Sequence, residues 1–238
     1  IGQPMGMIYG YIYEGTYKYD DFDKSGSSYT LKGNIPHYVS ESNTQPGMPK
    51  YKDLNGDGII DTNDRTMIGR GLPIHTGGFT NNFEYKGFDV SVFFQWSYGN
   101  DVLNANRLFF DSGFQKKREL NQYASYTNRW TPENPNSDIP AATNSSSNLV
   151  ISSRVVEDAS FLRLKTVTLG YTVPKTFLKK YKIDNARLYV AAQNLWTITG
   201  YSGYDPEVSI RSGGLTPGLD FSSYPRALSV SFGINLGF

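Results

Sequence analysis

The sequence predicts an all-β protein, and within that class part of a transmembrane antiparallel β-barrel. The first observation is composition: the chain has 18 Tyr and 14 Phe, but only 19% of its residues are charged, a balance typical of strands. The second is that several long runs alternate apolar with small or polar residues at period two. The third is that the connections between these runs are alternately long and short.

Three strands are predicted in the first part of the chain. Residues 5–13 form the least regular of them and are rich in Tyr and Gly. Residues 74–85 and 88–98 are joined through Lys86-Gly87, a pair typical of a tight hairpin. The run 88–98 has the cleaner alternation, with aromatic ends that are typical of membrane interfaces. Its apolar positions are Phe88, Val90, Val92, Phe94, Trp96 and Tyr98.

Three further strands are predicted at residues 161–173, 186–199 and 226–238. Pro174 ends the first of these, because proline cannot donate a hydrogen bond to a β-ladder. A run of about 11 tilted residues crosses a bilayer, whereas strands of soluble proteins usually have about five or six. The last run has the membrane length, and its apolar face consists of Leu228, Val230, Phe232, Ile234, Leu236 and Phe238.

The connections sort by length. Residues 14–73, 99–160 and 200–223 are long, and residues 86–87 and 174–185 are short. Outer-membrane barrels have long extracellular loops and short periplasmic turns, so the long segments are predicted to be extracellular. Six strands cannot close a barrel, and an open edge in lipid leaves backbone groups unpaired. We therefore expect further polypeptide to complete the wall.

The second short connection contains a lysine-rich stretch. Pro174 to Tyr181 predicts one or two helical turns, with Lys175, Lys179 and Lys180 facing water. Two interpretations remain open for it: a solvated turn, or a contact with a periplasmic partner.

Several classes of function are disfavoured. Charges nearly cancel, with 23 Lys plus Arg against 22 Asp plus Glu and no long basic block, so nucleic acid is not an expected partner. Cys is absent, which excludes disulfides, thiolate metal sites and a Cys nucleophile. His37 and His75 are the only histidines, and no carboxylate pair stands out. We therefore expect neither an enzyme nor an organic cofactor.

One loop has the ligand spacing of a calcium site. Its oxygen ligands fall at positions 1, 3, 5, 7, 9 and 12 of an EF-hand-type loop, and Gly58 occupies the position of the sharp turn. The predicted ligands are Asp53, Asn55, Asp57, the backbone carbonyl of Ile59, Asp61 and Asp64. Asp64 replaces the usual Glu. The alternative is a plain Asp/Asn/Gly-rich turn whose side chains bond their own backbone.

Several motifs, in one order along the chain, resemble a known family. They are Arg129 to Pro135, Ala159-Ser-Phe-Leu-Arg-Leu through Pro174, Ala192-Gln-Asn-Leu-Trp196, Gly203-Tyr-Asp-Pro-Glu207, and the final strand from Tyr224 to Phe238. Together they resemble the SusC/RagA family of TonB-linked outer-membrane transporters over essentially the whole chain.

The resemblance implies a location in the outer membrane and a barrel of about 22 strands. This chain would supply its last six strands, and the plug and N-terminal extension would lie outside it. The resemblance also implies TonB-dependent import of oligosaccharides or peptides. The expected partners are the rest of the barrel and plug, a SusD-like surface lipoprotein, TonB through the missing N-terminal region, and the lipid bilayer. The alternative is a secreted or surface β binding module with a dockerin-like calcium loop.

Overall fold

A computed structural model of the chain describes residues 4–113, 121–144, 148–207 and 216–238. The chain divides into two compact units. The first unit comprises Ile1–Leu72, Asp101–Glu157 and Val208–Ser223, and the second comprises Pro73–Asn100, Asp158–Glu207 and Tyr224–Phe238. None of the helices formed by the described residues is long and apolar enough to cross a membrane.

Strands are the main regular elements of both units. In chain order they are β1 (Met7–Gly10), β2 (Tyr13–Thr16), β3 (Phe22–Ser25), β4 (Ser28–Leu31), β5 (Pro49–Tyr51), β6 (Thr66–Arg70), β7 (His75–Tyr85), β8 (Phe88–Tyr98), β9 (Asp101–Asn104), β10 (Val156–Asp158), β11 (Phe161–Thr172), β12 (Asn185–Thr199), β13 (Leu219–Asp220) and β14 (Ser229–Gly237). Two short α-helices are α1 (Ala105–Phe110) and α2 (Lys175–Leu178).

The second unit is built on one five-stranded sheet with the order β14-β12-β11-β8-β7, in which all neighbours are antiparallel. The four strands β7, β8, β11 and β12 have 11, 11, 12 and 15 residues. At about 3.3 Å per residue each can cross a bilayer at a tilt. The register aligns Val90, Leu169, Val190 and Phe232 in one row across four strands. Period two therefore becomes two chemically distinct faces of one sheet.

The sequence of the hairpin explains its turn. Lys86 and Gly87 both have positive φ, at 49° and 86°. A two-residue turn of this kind matches the right-handed twist of the strands that it joins. The hairpin pairs Tyr85 with Phe88 and continues to His75 opposite Tyr98. The dipeptide thus sets the register of the whole of β7 against β8.

The first unit has a separate aromatic core. Tyr11, Tyr51 and Ile60 form one buried cluster, and Tyr17, Phe22 and Leu31 form another. Its strands make small sheets: β1 with β6, β2 with β5, β3 with β4, and β10-β9-β13. Most of this unit comes from the three long segments that were predicted as loops. These segments therefore have a core and ladders of their own.

The prediction of one continuous strand over residues 5–13 is wrong. The structure breaks this stretch into β1, which pairs with β6, and β2, which pairs with β5. Between them Tyr11 is buried and packs its ring against Tyr51 at 5.3 Å. The stretch lacks strict alternation because Tyr11 and Tyr13 pack in a local core and not on one side of a long sheet. Among the described residues, the large sheet has five strands and not six.

The other bounds differ at the ends. The structure has strands at 75–85, 161–172 and 185–199 where 74–85, 161–173 and 186–199 were expected. The last strand starts at Ser229, later than the expected residue 226. The Arg226 N–H donates to a carboxylate oxygen of Asp205 at 3.1 Å, so this residue lies outside the ladder.

Candidate functional site

One face of the five-stranded sheet is apolar and exposed. Phe232 is 83% exposed and Phe83 is 64% exposed. Soluble monomers rarely expose a contiguous apolar patch larger than a few hundred Å². This face continues across all five strands, as expected for strands that face hydrocarbon. Its exposed members include Phe79, Phe83, Tyr85, Phe88, Leu169, Leu188, Trp196, Val230, Phe232, Ile234 and Leu236.

The opposite face is mostly polar or small. By the same register it carries Thr80, Asn82, Glu84, Asp89, Ser91, Gln95, Thr168, Gly170, Arg187, Gln193, Ser229, Ser231 and Asn235. Apolar-out and polar-in alternation is typical of barrels whose interior is wet or filled by polar protein. The two faces together give this sheet the chemistry of a wall between hydrocarbon and a polar interior.

An ion pair crosses three strands on the polar face. Arg187 on β12 donates from Nε to Asp89 Oδ1 on β8 at 3.1 Å, with Gly170 of β11 between them. A Cβ at Gly170 would lie 2.3 Å from Asp89 Oδ1 and 2.5 Å from an Arg187 nitrogen. Gly170 therefore leaves the space in which the two side chains meet.

A second, more deeply buried network lies at the other end of β11. Arg163 is only 2% exposed and donates to three partners: Thr197 Oγ1 at 3.0 Å, Glu207 Oε2 at 3.1 Å and Asp205 Oδ1 at 2.5 Å. Arg226 pairs with Glu207 Oε1 at 2.9 Å, and Lys165 lies 3.7 Å from Glu207 Oε2. Three cations therefore surround two carboxylates. Charge-assisted bonds of this kind are among the strongest hydrogen bonds in proteins.

The Asp205 carboxylate is held in its charged form. Burial on its own would raise the pKa of Asp205, but hydrogen bonds from the Glu207 N–H, the Arg163 guanidinium and the Arg226 N–H lower it below the usual value. The network fastens residues 203–207 and the approach to β14 to the inside of the strand wall. The sequence showed Arg163 and Asp205 only as members of separate motifs, because a pairing between distant positions has no local signal.

The predicted calcium loop folds as a closed turn. Asp53 accepts from the N–H groups of Gly56 at 2.7 Å and Gly58 at 2.9 Å. Both glycines have positive φ, at 78° and 84°, which favours glycine over any other residue. Asn55 accepts from the Asp57 N–H at 2.9 Å, and Asp57 accepts from the Ile59 N–H at 2.8 Å. Each predicted side-chain ligand in this half of the loop thus bonds the loop backbone.

The far end of the loop is closed by Asp64, which is fully buried. Its carboxylate accepts from the N–H groups of Leu54 and Asp61, both at 2.8 Å, and of Asn55 at 3.4 Å. Burial would raise the pKa of Asp64, but these backbone bonds lower it. Asp61 caps the short 3₁₀ turn Thr62–Asp64 by accepting from the Asn63 N–H at 2.7 Å.

The structure brings all six predicted ligands into one loop. In the described parts of the chain, no three acidic or histidine side chains are arranged to hold a metal ion. The carboxylates turn toward backbone N–H groups, so the calcium site stays a prediction. Ile60 anchors the loop, because its side chain is buried and its N–H donates to His37 O at 3.0 Å.

A scan against models of known protein families finds no match. Relatives that match the whole of this chain are nevertheless found. The whole chain is 38% identical over 242 residues to TonB-dependent receptor P3 and 34% identical over 244 residues to TonB-dependent receptor P26, both of Formosa agariphila. Over 84% of its length it is 29% identical to TonB-dependent receptor SusC of Bacteroides thetaiotaomicron.

Solved structures agree. The chain superposes on the RagAB peptide transporter with a TM-score of 0.69 and 27% identity over 98% of its length. It superposes on the RagAB peptide importer in the "open-open" state with a TM-score of 0.68 and 26% identity over its whole length. The match covers 22% of receptor P3 and 23% of each RagAB chain, so the chain spans less than a quarter of these proteins.

Proposed function

Because the chain belongs to the SusC/RagA family of TonB-dependent receptors of the outer membrane, we propose that it forms part of the wall of a transporter that imports nutrients through this membrane. The two-faced sheet is the observation that carries the proposal. A lipid-facing side of Phe, Leu, Ile and Val and an inner side with the Asp89–Arg187 pair suit a wall between hydrocarbon and a polar interior. The rest of the barrel and the plug would come from polypeptide outside these 238 residues.

The proposed cargo is an oligosaccharide or a peptide, taken up with the help of a SusD-like surface lipoprotein and energised through TonB. The peptide alternative is supported by similarity to the RagAB peptide importer at 26% to 27% identity. The oligosaccharide alternative is supported by the family resemblance. We propose no catalytic step. The carboxylates of Asp205 and Glu207, in the network around Arg163, form ion pairs with arginines.

Uptake by living cells tests this function. A strain that lacks the full-length gene and a strain with the gene restored are given fluorescent oligosaccharides or peptides as separate pools. We expect the deletion to abolish uptake of one pool, and a protonophore to abolish it in the restored strain. The alternative, a secreted binding module, predicts unchanged uptake and a protein that is extracted by aqueous buffer without detergent. Those two results together would reject the transporter proposal.

We also propose that the loop from Asp53 to Asp64 binds a calcium ion. The ligand spacing and the two positive-φ glycines support this, and carboxylate oxygens that accept one N–H retain a second lone pair for a cation. Asp64 fits less well, because its two oxygens already accept three N–H groups. The ion would brace the first unit and take no part in transport.

A further inference from the structure

The connection between β11 and β12 has an unusual surface for a strand turn. It contains α2 and a 3₁₀ turn, Lys179–Tyr181, which is followed by Lys182 with φ 58°. Phe177 is 70% exposed and Tyr181 is 68% exposed, although Leu178 between them is buried. Phe177 lies in α2 and Tyr181 in the 3₁₀ turn that follows it, so one short connection exposes two aromatic rings.

These exposed rings lie at the end of the sheet, next to the last residues of its apolar face. The Val173 N–H donates to Ala186 O at 2.9 Å, and the Asp184 N–H donates to Gly237 O at 2.8 Å, so the turn is tied to the ends of three strands. The apolar face is present in the last rungs below it, where Tyr171 pairs with Leu188 and Ala186 pairs with Leu236. Amphipathic aromatic rings at this level are typical of the membrane–water interface.

The turn is also strongly basic. Four exposed lysines, at positions 175, 179, 180 and 182, are accompanied between Pro174 and Asn185 by a single acidic residue, Asp184, which gives a formal charge of +3. Among the described residues, none of these four lysines takes part in an ion pair. A solvated turn accounts for the lysines but not for two exposed rings among them. Long lysine side chains beside aromatic rings suit a surface with apolar tails below and phosphates above.

We propose that this turn is a binding site for anionic phospholipid headgroups. Phe177 and Tyr181 enter the interface of the membrane leaflet next to the turn, and Lys175, Lys179, Lys180 and Lys182 contact the phosphates. Each lysine near an anionic surface strengthens association by roughly fivefold. The inference rests on the placement of the five-stranded sheet in the membrane, and the site would hold the end of β11 and β12 at a fixed depth.

Spin labels in the full-length transporter test the site. Single cysteines replace Phe177, Tyr181 or, as the control within the same turn, exposed Thr176, in a full-length background without other cysteines. The protein is reconstituted in phosphatidylcholine with or without phosphatidylglycerol. We expect labels at 177 and 181 to collide with oxygen and not with a water-soluble nickel complex, unlike the label at 176. Phosphatidylglycerol should deepen this contrast, and the combined change of all four lysines to glutamine should remove the lipid dependence.

Three outcomes overturn the proposal. Labels at 177 and 181 could meet the nickel complex as often as the label at 176, which would mean a solvated turn. They could be shielded from both reagents, which would mean a covering protein. The result could also be the same in both lipids, which would mean that headgroup charge is not recognised. A fourth label, on Phe232→Cys, separates this failure from that of the proposed function, because that position meets oxygen whenever the sheet itself lies in lipid.

Discussion

Arg163 Nη2 lies 2.5 Å from Asp205 Oδ1, and both side chains are almost completely buried. Arg163 belongs to a strand of the wall, and Asp205 belongs to the segment that leaves the next strand. Removing one partner of a buried pair leaves an unpaired charge and costs about 3–5 kcal/mol, whereas the pair itself contributes less. The relationship is therefore best tested through the damage done by single substitutions.

We expect Arg163→Met to destabilise the folded protein by about 3–5 kcal/mol, because Asp205 and Glu207 lose their central partner. Thermal unfolding of the full-length protein, followed as the loss of its compact form on cold SDS gels, measures the change. The matched control is Arg226→Gln, which changes a 44% exposed side chain and should cost at most about 1 kcal/mol. Equal losses of stability in the two variants would contradict the claim that the buried Arg163 contributes more than the exposed Arg226.

Gly170→Ala should also weaken the wall. The added methyl group would overlap Asp89 Oδ1 and an Arg187 nitrogen, and overpacking typically costs about 1–3 kcal/mol. Gly200→Ala is the control, because a Cβ there meets nothing within 4 Å, and we expect a change within about 0.5 kcal/mol. The same unfolding assay applies, and a stable Gly170→Ala protein would mean that the ion pair can separate without loss.

The two faces of β14 predict opposite responses to charge. Phe232→Arg places a cation on the lipid side and should cost about 2–4 kcal/mol near the bilayer centre, with loss of assembled protein from the outer membrane. Ser231→Arg, on the polar side, should assemble normally. In a water-soluble protein the 83% exposed Phe232 would tolerate arginine. Normal membrane yield of both variants would remove the assignment of this face to lipid.

Calcium should stabilise the loop from Asp53 to Asp64 if the predicted ligands bind the ion. We expect a chelator to lower the Tm of the purified full-length protein and added calcium to restore it, because the ion binds the folded state alone. Asp57→Ala should abolish this response, whereas Asp23→Ala, an exposed carboxylate outside the loop, should keep it. A Tm that changes with neither chelator nor added calcium would reject the site.

The low pKa of Asp64 predicts acid sensitivity of the same loop. The folded-state pKa of Asp64 lies below the ordinary value of 3.8, so the stabilisation by its charge is complete above that value and is lost as pH falls through the folded pKa. Hydrogen exchange at the Leu54 and Asp61 N–H groups, which donate to this carboxylate, should accelerate relative to other amides in that window. Asp64→Asn should exchange fast already at neutral pH. Equal protection in both proteins would contradict the role of the charge.

Local patterns predicted the parts of the fold that depend on local chemistry. The alternation of 88–98 corresponds to β8, and the Lys86-Gly87 pair corresponds to a positive-φ turn. Residues 5–13 were misread because Tyr11 packs against Tyr51, a contact that no window of neighbouring residues contains. The loop spacing at Asp53 to Asp64 predicts a calcium site and offers a plain turn as the alternative, but it could not show that Asp64 bonds three backbone N–H groups. The network around Arg163 joins separate motifs and therefore has no signature in any one of them.

The first unit is formed by three stretches that are far apart in the chain. Its strand β9 pairs in parallel with β13, through Leu103 opposite Leu219 and Asn104 opposite Asp220. A nascent or truncated polypeptide that stops before Leu219 leaves the edge of β9 bare. The first two stretches of this unit therefore cannot complete its fold by themselves, because the ladder of β9 waits for a strand that lies more than a hundred residues further along the chain.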